Sequence, residues 1–141
     1  MKDNHIIEHW KKLTEENFEK REVGEFICKF DDNYKLVKGN TPLMCKSEGG
    51  KPIIFFHNHP PKYVGVSFGE PKLSYGDIGW GIMNNIPCMC VGSDTEHGIK
   101  VKCFYQDLSE EEINKLHNEL LTTKNVRDTI ERKNPYKEIT F

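Results

Sequence analysis

The chain has 141 residues, of which 30% are charged and 36% hydrophobic, the length and composition of one soluble folded domain. Its formal net charge is -2, with both signs mixed along the chain, which argues against a nucleic-acid-binding face. No apolar run approaches the roughly 20 residues that cross a bilayer. The opening MKDNHIIEHWKK has no signal-peptide apolar stretch, so a cytoplasmic setting away from membranes is expected.

In chain order, Ile6, Ile7, Trp10, Leu13 and Phe18 recur at helical spacing and predict an amphipathic helix over 5–20. GEFICKF (24–30) and YKLVK (34–38) read as a β-hairpin turned by Asp31-Asp32-Asn33. Residues 39–51, rich in Gly, Ser, Pro and Lys, are expected to be mostly loop. PIIFFHN (52–58) is the most apolar run and predicts a strand buried on both faces, ended by Pro60 and Pro61. Residues 60–73 hold three Pro and two Gly and read as a loop, which Tyr63, Val64 and Phe68 pin down or turn toward a substrate. A helix is expected from an N-cap at Ser74 to Asn85, then strands at 87–93 and 98–105 around a turn at 94–97. Ser109 and Glu112 form a capping box opening a helix that puts Ile113, Leu116, Leu120 and Leu121 on one side. The tail beyond about 124 is polar and reads as partly frayed. The order α-β-β-β-α-β-β-α predicts a single mixed α/β domain, a central β-sheet flanked by helices.

Five cysteines (Cys28, Cys45, Cys88, Cys90 and Cys103) are odd in number and irregular in spacing, which predicts reduced thiols rather than a disulfide framework. Trp10 and Trp80 read as packing residues, and His5, His9, His97 and His117 as surface or capping groups.

His57 and His59 differ from these. Two residues apart on a strand, they point to the same face and can share one cation. A catalytic zinc takes three protein ligands and leaves one position for water. Asp77, one turn into the helix that begins at Ser74, is the third candidate. Taken singly, His-x-His is a weak signal, and Ser74-x-x-Asp77 is an ordinary helix start; both occurring in this order is more specific.

His57-Asn58-His59-Pro60, a loop, and Ser74-Tyr75-Gly76-Asp77 together resemble the H-x-H-P…S-x-x-D signature of the JAMM (JAB1/MPN/Mov34) metalloproteases. Asn58 between the histidines, and the FDDNYKLV hairpin, are most similar to the RadC-like branch. The segment between His59 and Ser74 is longer than is common in that family.

The resemblance implies a three-layer, cytidine-deaminase-like architecture over 1–141. A helix at 5–20, a metal-site core at 22–105, and a helix at 109–124 with a polar tail would make it up. It implies Zn2+ held by His57, His59 and Asp77, a general base at Glu25 with Glu22 as its rival, and Ser74 as the oxyanion donor. The implied activity is that of a zinc metallopeptidase or isopeptidase. Its partner would be a protein or peptide substrate, ubiquitin-like conjugates included. The alternative is a RadC-like metal-bound module that contacts protein or nucleic acid without turnover. A zinc deaminase needs H-x-E…P-C-x-x-C; here a second His stands where the Glu would be, and Cys88 and Cys90 are one residue too close. Those two cysteines read instead as small apolar residues on one face of a strand.

Overall fold

Apolar residues at strand and helix periods fold this chain into a six-stranded sheet with helices on both faces. The computed structural model describes residues 3–17, 22–59, 71–95 and 97–139. The elements are α1 (Asp3–Glu16), β1 (Gly24–Lys29), β2 (Tyr34–Lys38), α2 (Leu43–Lys46) and β3 (Lys51–Asn58). They are followed by α3 (Tyr75–Met83), β4 (Cys88–Thr95), β5 (Gly98–Gln106), α4 (Glu110–Thr122), α5 (Val126–Lys133) and β6 (Tyr136–Ile139). The sheet order is β2-β1-β3-β4-β5-β6, antiparallel throughout except for the parallel pair β3–β4. That pair is joined through α3, the crossover a parallel pair requires.

Each sheet face has its own core. On one side, Ile6 and Trp10 of α1 pack with Ile27, Phe56, Cys90 and Cys103. Trp10 is almost fully buried and stacks on Phe56, with ring centroids 4.9 Å apart and planes within 7°. Gly92 lets α1 come this close, because a Cβ there would stand 2.1 Å from Thr14 Oγ1. On the other side, α3, α4 and α5 cover Phe26, Phe55, Ile78, Ile82, Met89, Leu116 and Ile130. The residues of β3 divide between the two cores, so the strand is buried on both faces as its apolar run predicts.

The capped helices start where their signals lie. Ser74 caps α3 and Ser109 caps α4, both in reciprocal capping boxes. Several expectations need correction. Helix α1 ends at Glu16, short of 20; Phe18 lies outside the described residues, as do Pro60, Pro61, Tyr63, Val64 and Phe68. The 39–51 segment contains the short helix α2. Leu121 is 64% exposed, not on the buried side of α4.

The polar tail is ordered as far as Ile139. Asn125 caps α5 by accepting from the Asp128 amide, and Ile130 and Tyr136 are buried. The Tyr136 hydroxyl donates to the Ile86 carbonyl at 2.6 Å, fastening β6 to the turn after α3. Val126, Ile130, Tyr136, Ile139 and Phe141 follow no helix or strand period along the tail, yet Ile130 and Tyr136 are buried once α3 and α4 offer a surface to cover.

Reduced thiols are also corrected. Cys28 pairs with Cys45, and Cys90 with Cys103, leaving Cys88 as the free thiol. Cys90 and Cys103 stand directly opposite each other in the β4–β5 register, with Cα atoms 4.0 Å apart. Spacing along the chain cannot reveal that alignment. Among the described residues, no helix is long and apolar enough to cross a membrane.

Candidate metal centre

The residues of interest gather where β3 ends. Its two neighbours there differ in direction: β1 is antiparallel and β4 parallel. The crossover to α3 leaves the sheet at this point, and the carboxyl end of a parallel strand at such a switch is a common place for a ligand site. Phe55, His57 and His59 alternate onto the α3 face, where Phe55 packs against Trp80 with centroids 4.7 Å apart. Helix α3 then brings Asp77 in from above.

Three donor atoms converge. His57 Nε2 lies 2.9 Å from His59 Nε2, His59 Nε2 lies 3.1 Å from Asp77 Oδ2, and His57 Nε2 lies 3.2 Å from the same oxygen. A tetrahedral zinc with bonds of about 2.0–2.1 Å has ligand–ligand edges of about 3.3–3.4 Å. The triangle is therefore within a few tenths of an ångström of one face of such a site. The donor set, two imidazoles and a carboxylate, also suits zinc.

The imidazoles are hard to satisfy without an ion. Whichever nitrogen of His57 carries its proton, the buried Nδ1 has no hydrogen-bond partner. On the Nε2 side, two ring nitrogens and a carboxylate oxygen face one another and must otherwise share protons among themselves, whereas one cation meets all three lone pairs. The observed residues thus fit a cation.

Asp77 is aimed by the helix cap. Its Oδ2 accepts from the Ser74 amide at 3.0 Å, while Ser74 Oγ accepts from the Asp77 amide at 3.1 Å. One oxygen therefore closes the capping box and faces both histidines. Burial opposes ionisation of this carboxyl, but hydrogen bonds from His57, His59 and the Ser74 amide outweigh it and hold Asp77 well below the usual carboxylate range. Exposure rises across the cluster: His57 is 1% exposed, His59 17% and Asp77 19%. The site is sealed toward the sheet and open on its outer side, where water or a substrate carbonyl can enter. Ser74 itself is exposed at that opening.

Glu25 does not join the cluster. In the β1–β3 register Gly24 pairs with His57 and Glu25 with Phe56, so the Glu25 side chain projects to the α1 face. There it is 1% exposed, and its Oε1 meets His9 Nε2 at 2.8 Å and accepts from Trp10 Nε1 at 3.1 Å. His9 keeps its expected place at the surface, its side chain 41% exposed, and from there partners Glu25.

Glu22 has the better position. It lines a cleft of about 450 Å³ together with Asn40, Phe55, Gly76, Asp77 and Trp80. Asn58, on the opposite face of β3 from the histidines, fixes the chain beside it, its Oδ1 accepting from the Val23 amide at 2.6 Å. Gly24 lets Asn40 and Phe55 pack closely against β1, since a Cβ there would stand 2.1 Å from Asn40 Oδ1 and 2.9 Å from Phe55.

Sequence reasoning missed the strut made by Asn58 and the clamp of His9 and Trp10 on Glu25. Parity was the available signal: if Gly24 is opposite His57, Glu25 faces away from the histidines. The register itself could not be read from the chain.

Among known proteins, no family model matches this chain, and no curated protein sequence matches it either. The functional reading therefore stands on the site's own geometry.

Proposed function

We propose that the protein is a zinc-dependent amide hydrolase of the JAMM kind, with the ion held by His57, His59 and Asp77. The convergence of three metal-ligand atoms at the carboxyl end of β3 is the observation that supports this reading. When bound, zinc supplies a Lewis acid that polarises a carbonyl and brings the pKa of water to about 7.

The chain's own residues do the rest. Glu22, reaching the cleft from the segment before β1, accepts a proton from the attacking water and delivers it to the leaving amine. Ser74 keeps its hydroxyl proton while accepting from the Asp77 amide, so it can donate to the oxygen that gains negative charge. His57, buried against Phe55, holds the inner wall rigid; the two rings stack with centroids 5.4 Å apart. The substrate class is a peptide or isopeptide amide, carried by a protein, ubiquitin-like conjugates included.

Metal analysis of the purified protein should find about one zinc per chain at this site. His57→Ala and Asp77→Ala should each remove it, and stoichiometric zinc retained in both would sink the assignment. Peptide and isopeptide substrates should be cut in a chelator-sensitive way. Zinc binding with no turnover on either class would instead favour a non-catalytic, metal-bound interaction module. Glu22→Gln should keep the zinc and lose hydrolysis by about 10²–10⁴-fold; full activity in that variant would remove Glu22 from the mechanism.

A cytoplasmic setting belongs to the same reading. It requires both disulfides to stand open there, because that compartment keeps thiols reduced. Thiols alkylated at the moment of cell lysis should then number five per chain; one would place the protein in an oxidising compartment.

A further inference from the structure

A second group of metal-ligand atoms lies on the far side of the sheet from His57. Cys88, Cys90 and Cys103 have their sulfurs within 4.8 Å of one another. Cys90 pairs in register with Phe56 and with Cys103, so both cysteines face α1, whereas His57 pairs with Val91 and faces α3. Cys88, two residues before Cys90 on the same strand, shares the α1 face. The two groups are separated by the thickness of the sheet.

We propose that Cys88, Cys90 and Cys103 form a redox-gated site for a thiophilic divalent cation such as Zn2+, closed by the Cys90–Cys103 disulfide and opened by reduction. Three sulfur donors select zinc over magnesium or calcium. Zinc–sulfur bonds of about 2.3 Å set sulfur–sulfur edges of about 3.8 Å in a tetrahedron, so the Cys90 and Cys103 sulfurs, now bonded to each other, separate on reduction by about 1 Å each while Cys88 moves in by about 1 Å or less. The surrounding Ile6, Trp10, Ile27 and Phe56 are apolar and bring no competing ligand. Cys90 and Cys103 are buried while Cys88 is half-buried, so an ion enters past Cys88 and water takes its fourth position.

The chemistry balances with a dithiol as reductant. The Cys90–Cys103 S–S bond breaks, two S–H bonds form, and the reductant closes its own disulfide after giving up two electrons and two protons. The ion then displaces three protons, one from each thiol, into solvent. Burial pushes the Cys88 thiol up to about 11, so without metal it stays protonated and attacks the neighbouring disulfide slowly. The free thiol and the disulfide can therefore coexist until a reductant arrives.

The test is a Co2+ titration of the full chain, oxidised and then reduced with a phosphine that does not compete for metal. Reduced protein should bind about one more Co2+ per chain than oxidised protein, with a thiolate-to-cobalt charge-transfer band. The His57, His59, Asp77 group has no sulfur and yields no such band, so His57→Ala should keep it; this separates the proposal from the hydrolase reading. Cys88→Ser should at least halve the band, and the Cys28→Ser/Cys45→Ser double variant should retain it. Circular dichroism should show the fold intact in each sample. The proposal is overturned by reduced, folded protein without the band, or by a band that survives Cys88→Ser at full strength. Loss of the band with Cys28 and Cys45, or unfolding on reduction despite Co2+, overturns it equally.

Discussion

Removing Glu25 separates a structural carboxylate from a catalytic one. Its Oε1 is the acceptor for the buried Trp10 indole N–H and also meets His9. Glu25→Ala strands that N–H in a core where Trp10 is 1% exposed. An unsatisfied buried donor costs about 1–3 kcal/mol, and the lost methylene about 0.8 kcal/mol more. A net loss of about 2–4 kcal/mol should lower the melting temperature by about 6–15 °C in a domain of this size. Glu25→Gln keeps an acceptor for Trp10 but loses the charge, so about 1 kcal/mol is expected. Trp10→Phe should be less than additive with Glu25→Ala, since both remove the same hydrogen bond. The assay is thermal unfolding alongside zinc content, which should remain at about one per chain in every variant. An unchanged melting temperature in Glu25→Ala, or zinc lost from a folded variant, would refute the placement of Glu25 against α1.

Three further outcomes follow from the same geometry. Ser74→Ala removes the cap on the Asp77 amide, costing about 1 kcal/mol of stability, and loosens the carboxylate that faces both histidines, weakening zinc binding by about 10–100-fold in a competition titration. Gly92→Ala drives a methyl group into Thr14 and Phe56, so α1 must lift; denaturant unfolding should show a loss of about 1–3 kcal/mol or more. Burial raises the folded-state pKa of Cys88, to about 11, and also that of Tyr136. A raised pKa stabilises the fold fully below the unfolded value, here about 8.5 for a thiol, and that contribution fades as pH rises toward 11. Cys88→Ala should flatten the slope of stability against pH between about 8.5 and 11; an unchanged slope would show that Cys88 is solvated.

The three candidate ligands were legible because their signals are local. His57 and His59 share a face by the two-residue period of a strand, and Asp77 follows from the cap at Ser74, whose signal lies within four residues. The hairpin at β1–β2 and the cap of α4 were readable for the same reason. The tail was not, because Ile130 and Tyr136 gain their burial from α3 and the turn after it, far away in sequence. Its one local clue was Asn125 placed three residues before Asp128, the spacing of an N-cap.

Sequence alone marked His57, His59 and Asp77 as candidate ligands and showed which short segments start, turn or cap. The tertiary structure decided which side of the sheet each one faces. A shift of one residue between β1 and β3 would exchange the faces of Glu25 and its neighbours, because side chains alternate with period two. Hydrogen-bonded register is a relation between distant segments, set by which faces bury most apolar surface. That relation turned Glu25 toward Trp10 and brought Glu22 into the cleft beside Asp77. It also set Cys90 opposite Cys103.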